Sequence, residues 1–104
     1  IRNQNIEFLL EGPVVAMILE GVQSIELVRK MVGSTESKSA LPGTIRGDYS
    51  HMSYSYADKV KSVVRNTIHA SGNKEDANHE IKIWFNSEEI QKYKLLNEKH
   101  TFCC

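Results

Sequence analysis

The amino-acid sequence predicts an α+β fold, with helices packed on a sheet, from three observations. The stretch "VVAMILE", Val14–Glu20, is almost continuously apolar, the pattern of a central strand covered on both faces. A second stretch, Val63–Ile68, is rich in β-branched residues, which suit a pleated and half-buried surface. Two further segments, ending near Gly33 and Phe85, space their apolar residues as a helix does.

Residues 1–11 carry apolar Ile1, Ile6, Phe8, Leu9 and Leu10 and read as the end of a helix that stops at Gly12-Pro13. After the Val14–Glu20 strand, Gly21 turns the chain. In "VQSIELVRKMVG" the face Ile25, Val28, Met31 and Val32 predicts a helix, with Ser24 placed to cap it and Gly33 to end it. Arg29 and Lys30 fall in its last turns, where cations complement the helix dipole.

From Ser34 to about Val60 no period holds, and the stretch is rich in Ser, Gly, Tyr and charge. A loop that long inside a domain is usually functional. Following the Val63–Ile68 strand, Asn73 is placed to cap "KEDANHEIKIWF", whose face Ala77, Ile81, Trp84 and Phe85 predicts a helix buried on that side. Ser87-Glu88-Glu89 starts a short further helix toward Tyr93, and residues 94–104 read as a tail. No internal repeat or low-complexity segment interrupts this order.

At 104 residues the chain fits a single domain, and its 40% apolar and 25% charged content is that of an ordinary globular protein. Lysine plus arginine equal aspartate plus glutamate at 13 each, so no general field draws the chain to nucleic acid or an anionic membrane. The two cysteines, Cys103 and Cys104, are adjacent and make no disulfide framework. With no apolar stretch of spanning length and no secretory pattern at the N-terminus, a cytoplasmic location is expected. The start at Ile1, without methionine and partway into a helix, suggests a piece of a longer protein.

The candidate chemistry gathers around "NTIHASG", Asn66–Gly72, where His69 ends a strand beside small residues. Locally, two readings stand: a half-buried polar residue, or a group that meets a ligand. Arg29 and Arg46 could hold phosphate oxygens in bidentate fashion, and Thr35 adds an uncharged donor. A histidine near phosphate serves as acid, base or nucleophile. His51, Asp58 and the other histidines lack metal-ligand spacing; His79 reads as a solvated helix residue, and His100 with the cysteines as tail. Arg46-Gly47-Asp48 also spells an adhesion tripeptide, a reading that the missing secretory signal and disulfides disfavour.

Four collinear blocks, "GPVVAMILEG" (12–21), "PGTIRGDY" (42–49), "RNTIHASGN" (65–73) and "HEIKIWF" (79–85), together resemble the nucleoside diphosphate kinase family. The element N-x-x-H-[GA]-S around His69 is that family's active-site signature. The resemblance implies a ferredoxin-like α/β sandwich with an antiparallel sheet. It implies transfer of the γ-phosphate of a nucleoside triphosphate, typically ATP, to a nucleoside diphosphate through a phosphohistidine. On this resemblance His69 accepts the phosphoryl group, Glu80 orients its ring, and Ser71 supports both. Arg29, Thr35 and Arg46 match phosphate-binding positions, Asn66 the ribose-binding asparagine, and Val63 a contact to the base. The cofactor implied is Mg²⁺ bound through the nucleotide phosphates, with no metal held by the protein. The partners implied are nucleoside tri- and diphosphates and further copies of the chain in a hexamer or tetramer, with no nucleic acid or membrane.

Departures from the family pattern sharpen this. The family's first strand, with its Lys-Pro-Asp element, matches nothing here, so residues 1–104 are expected to be the C-terminal part of one such domain, its sheet incomplete and 94–104 its tail. That first strand lies between the two strands read above. Gly72 replaces a usual aspartate, and "YSHMSYSYADKVKSVVR" (49–65) is longer than in common bacterial and animal members, similar to some archaeal ones. The alternative function is a truncated, non-catalytic nucleotide-binding or oligomerisation module of the same fold.

Overall fold

Helices whose hydrogen bonds close within a few residues form throughout the chain, as seen in a computed structural model that describes residues 2–101. They are α1 (Arg2–Leu9), α2 (Ser24–Val32), α3 (Ile45–Tyr49), α4 (Tyr54–Lys59), α5 (Lys74–Trp84) and α6 (Glu98–Thr101). Two 3-10 turns, Ser37–Ser39 and Ser87–Glu89, complete the regular structure.

The expected strands do not form. Among the described residues no strand is present, and both 14–20 and 63–68 run without regular structure. The reason is that ladder hydrogen bonds need a second segment alongside, whereas a helix supplies its own partners. The "VVAMILE" run is accordingly exposed, with Val15 87% accessible, although its composition is that of a covered strand. The Cα radius of gyration, 16.4 Å, exceeds the ~13 Å of a compact domain of about 100 residues.

α1 ends ahead of Gly12-Pro13 as expected and is tied to residues 61–65. Gln4 Nε2 donates to the Lys61 carbonyl at 3.0 Å. Arg65 makes a two-pronged ion pair with Glu11 at 2.8 and 2.5 Å, and its guanidinium lies 5.3 Å from the centre of the Phe8 ring.

α2 runs over the predicted residues, but Ser24 is its first helical residue and does not cap it. Gln23 stands at the cap in a left-handed conformation, with no side-chain cap bond. The C-terminal stop is as expected: Gly33 adopts φ 89° and its N–H donates to the Arg29 carbonyl. A side chain at Gly33 would also collide with Thr44, whose Oγ1 would stand 2.6 Å from the added Cβ.

The segment 34–60, read as an unstructured loop, is built instead from the 3-10 turn at Ser37–Ser39 and the short helices α3 and α4. No period of 3.6 can show in helices of five and six residues, so capping residues are the only local signal. Thr44 caps α3 by accepting from Gly47 N–H, and Ser53 caps α4 by accepting from Tyr56 N–H, both at 3.1 Å. Four of the five best-buried described residues lie here, Ser37, Arg46, Ser53 and Ala57, and the fifth, Val32, ends α2 just before it.

Asn73 caps α5 as predicted, accepting from Asp76 N–H at 2.7 Å. The expected buried face is realised in part. Ala77, Ile81 and Phe85 are half-buried, but Trp84 is 55% exposed and is not core. Burial of a whole helix face takes a layer beneath it, and the described residues form no sheet for α5 to cover. The helix expected toward Tyr93 stops at Glu89, closed by a capping box with Asn86. Within the tail, 98–101 coil into α6, while Cys103 and Cys104 lie outside the described residues.

Candidate active site

The site is centred on the segment 66–71, which crosses between α2 and α5. His69 Nε2 lies 3.0 Å from Glu80 Oε1 and 3.2 Å from Oε2. Ser71 Oγ donates to Glu80 Oε2 at 2.6 Å. One carboxylate on the second turn of α5 therefore holds both the histidine and the serine. The rigid helix, capped by Asn73, sets where that carboxylate stands.

The electrostatics favour an ionised Glu80. Its pKa is lowered chiefly by the Ser71 hydroxyl, partial burial opposes this, and the hydrogen bond and charge of His69 lower it further. Nε2 faces Glu80, and among the described residues Nδ1 has no protein partner. The side chain of His69 is 74% exposed, against 30% for Glu80. An imidazole with one nitrogen held by a carboxylate and the other open to solvent has the geometry of an oriented nucleophile or base.

Two arginines flank the histidine through the backbone on either side of it. Arg46 Nη2 donates to the Ile68 carbonyl at 2.7 Å and Nη1 to the Gly33 carbonyl at 3.1 Å. Arg29 Nη1 donates to the Ala70 carbonyl at 3.3 Å. Arg46 is 7% exposed, and its Nε is buried with no partner. Burial and then the positive charge of Arg29 push its pKa down, while Tyr54 acts in the opposite direction. Among the described residues neither arginine is paired with a carboxylate. Two cations placed near each other without an anion make a local site for one.

The remaining sequence candidates are less tightly joined to the cluster. Thr35 is exposed, two residues beyond the carbonyl that Arg46 holds. Val63 and Asn66 are half-buried on the segment leading to His69, and no side-chain hydrogen bond ties Asn66 to the cluster among the described residues. Sequence reasoning missed Glu36, whose Oε1 accepts from Tyr54 N–H at 3.0 Å and whose Oε2 accepts from Ser39 Oγ at 2.7 Å. It also missed Thr44, whose cap on α3 aims Arg46; the helix-starting pattern of Thr44 ahead of "IRGD" was the available signal.

Among the described residues no three His, Cys, Asp or Glu side chains come together as metal ligands, and no helix is long and apolar enough to cross a membrane.

Comparison with known proteins matches this geometry to a family. The sequence profile described as nucleoside diphosphate kinase matches residues 2–90. The nucleoside diphosphate kinase of Borreliella burgdorferi is 48% identical over 99% of this chain and 62% of its own length. That of Pyrobaculum aerophilum is 44% identical over 86% of this chain and 49% of its own. Among solved structures, a transition-state mimic of the Borrelia burgdorferi enzyme with bound vanadate and ADP superposes with a TM-score of 0.77 at 50% identity. It covers 81% of this chain and 50% of that one. The Pyrobaculum aerophilum structure gives a TM-score of 0.67 at 47% identity, covering 69% of this chain and 40% of that one. This chain thus spans about half to three-fifths of the length of these relatives. The general ferredoxin-like α/β fold of these neighbours is the one its helices follow, and the chain belongs to the nucleoside diphosphate kinase family.

Proposed function

We propose that the protein containing this chain is a nucleoside diphosphate kinase that transfers the γ-phosphate of a nucleoside triphosphate to a nucleoside diphosphate by way of His69. The observation that carries this is the Ser71–Glu80–His69 relay, which fixes the ring through Nε2 and leaves Nδ1 open. The family match and the related structure's bound ADP and vanadate support the same reading.

In this mechanism the Nδ1 lone pair attacks the γ-phosphorus, and the bond from that phosphorus to the β–γ bridging oxygen breaks. Its electron pair stays with the departing nucleoside diphosphate. The Nε2 proton remains hydrogen-bonded to Glu80, whose negative charge steadies the ring as it becomes cationic. A second nucleoside diphosphate then attacks the phosphorus and restores the imidazole. Arg29 and Arg46 counter the charge that builds on the phosphoryl oxygens, with Thr35 as a neutral donor. Asn66 is assigned to the ribose and Val63 to the base.

Mg²⁺ on the nucleotide phosphates would neutralise charge as the phosphoryl group moves. The donor set of the site, two guanidiniums and hydroxyls, fits phosphate oxygens rather than a cation held by the protein. The sheet of the ferredoxin-like sandwich, a hexamer or tetramer, and a cytoplasmic location belong to the same proposal and rest on the family.

The test is incubation of the full-length protein with γ-labelled ATP. An acid-labile, base-stable phosphoprotein is expected, and it should vanish in His69→Ala. Equal labelling of His69→Ala would overturn the mechanism. Nucleotide binding without any labelling of the wild type would instead support the non-catalytic module.

A further inference from the structure

We propose that Glu36 is a positioning residue, which holds Thr35 for phosphate binding by latching the segment 33–39 onto the N-terminus of α4. The inference rests on the nucleotide-binding reading above and extends it to α4.

Thr35 sits on a short span with both ends pinned. On one side Arg46 Nη1 holds the Gly33 carbonyl at 3.1 Å. On the other, Glu36 uses both carboxylate oxygens, one for Tyr54 N–H at 3.0 Å and one for Ser39 Oγ at 2.7 Å. Lys38 N–H adds a third tie, to the Met52 carbonyl at 3.0 Å. An exposed threonine between two fixed points loses little further freedom when its hydroxyl meets a ligand, which is how preorganisation raises affinity.

The α4 segment behind this latch is packed, not loose. Ala57 is 2% exposed, Ser37 2% and Ser53 8%, which makes this one of the most buried regions of the described chain. Ser53 caps α4, fixing Tyr54 N–H in the direction that Glu36 accepts. The carboxylate is held below its usual pKa first by Ser39, then by Tyr54 N–H and Lys38, as expected for a group stabilised in its ionised form.

The test is calorimetric titration of the full-length protein and its variants with Mg-ADP, together with amide exchange of Tyr54. Glu36→Ala should weaken ADP binding about fivefold, the worth of roughly one hydrogen bond, and speed exchange at Tyr54. Glu36→Gln, which keeps an acceptor for Tyr54 N–H, should restore affinity to within about twofold. Because Glu36 acts through Thr35, the double variant Thr35→Ala/Glu36→Ala should bind no more weakly than Thr35→Ala alone. Unchanged affinity in Glu36→Ala, additive losses in the double variant, or absence of ADP binding by the wild type overturns the proposal. Failure of the wild type to form a phosphoprotein, with ADP affinity still sensitive to Glu36, overturns phosphotransfer and leaves the latch standing.

Discussion

His69 and Glu80 meet through one ring nitrogen only: Nε2 lies 3.0 Å from Oε1, and Nδ1 has no protein partner among the described residues. The contact spans eleven residues of sequence and joins an irregular segment to a rigid helix. Its consequence is a fixed tautomer, with the proton on the nitrogen that faces the carboxylate. The protonation state of Glu80 therefore governs the ring.

That state is set first by Ser71, whose hydroxyl lowers the Glu80 pKa. A carboxylate with a depressed folded pKa contributes its stabilisation above the unfolded value and loses it as pH falls through the folded one. Ser71→Ala removes the largest lowering cause, so Glu80 should take up its proton at a higher pH. The acid limb of phosphoprotein formation is expected to move toward neutrality in Ser71→Ala. A pH–rate profile from single-turnover labelling checks this, and an unmoved acid limb would show that Glu80 is not the group whose protonation ends labelling.

Arg46→Lys is expected to destabilise the protein even though charge is kept. A single ammonium cannot reach both the Gly33 and Ile68 carbonyls, which the guanidinium fork now bridges. Leaving one part-buried carbonyl unpaired costs about 1–3 kcal/mol. Urea unfolding should show the fall as a lower midpoint with an unchanged slope.

Gly33→Ala should cost about 1–3 kcal/mol through the backbone alone, because Gly33 stands at φ 89°, ψ −176°, a region nearly closed to other residues. The added Cβ would also press on Thr44, the cap that positions α3 and hence Arg46. Thermal unfolding measures the first effect. Weaker Mg-ADP binding in the folded variant would report the second.

The Glu11–Arg65 pair should matter little by comparison. Both side chains are 49% exposed, and such pairs are worth about 0.2–1 kcal/mol even with two-pronged geometry. Glu11→Gln is expected to lower stability within that range and to remove most of its dependence on salt between low and moderate ionic strength. A loss several times larger would mean that the clamp of α1 on residues 61–65 holds more than one ion pair.

The sequence by itself determined the family, through four matched blocks, and those helix ends that are local events. Asn73 at the start of α5 and Gly33 at the end of α2 are legible because a cap is completed by residues within one turn. Only the tertiary structure decided the rest. Val14–Glu20 and Val63–Ile68 have strand composition but no ladder, since a strand is completed by another segment and not by its own residues. Trp84 has a helix-face position but no layer to cover it. Arg46 is marked by its motif, yet its burial between two carbonyls, and the Glu36 latch on Tyr54, arise where distant segments meet. Local hydrogen bonds can be read along the chain; long-range ones depend on which segments fold against each other, and periodicity carries no record of that.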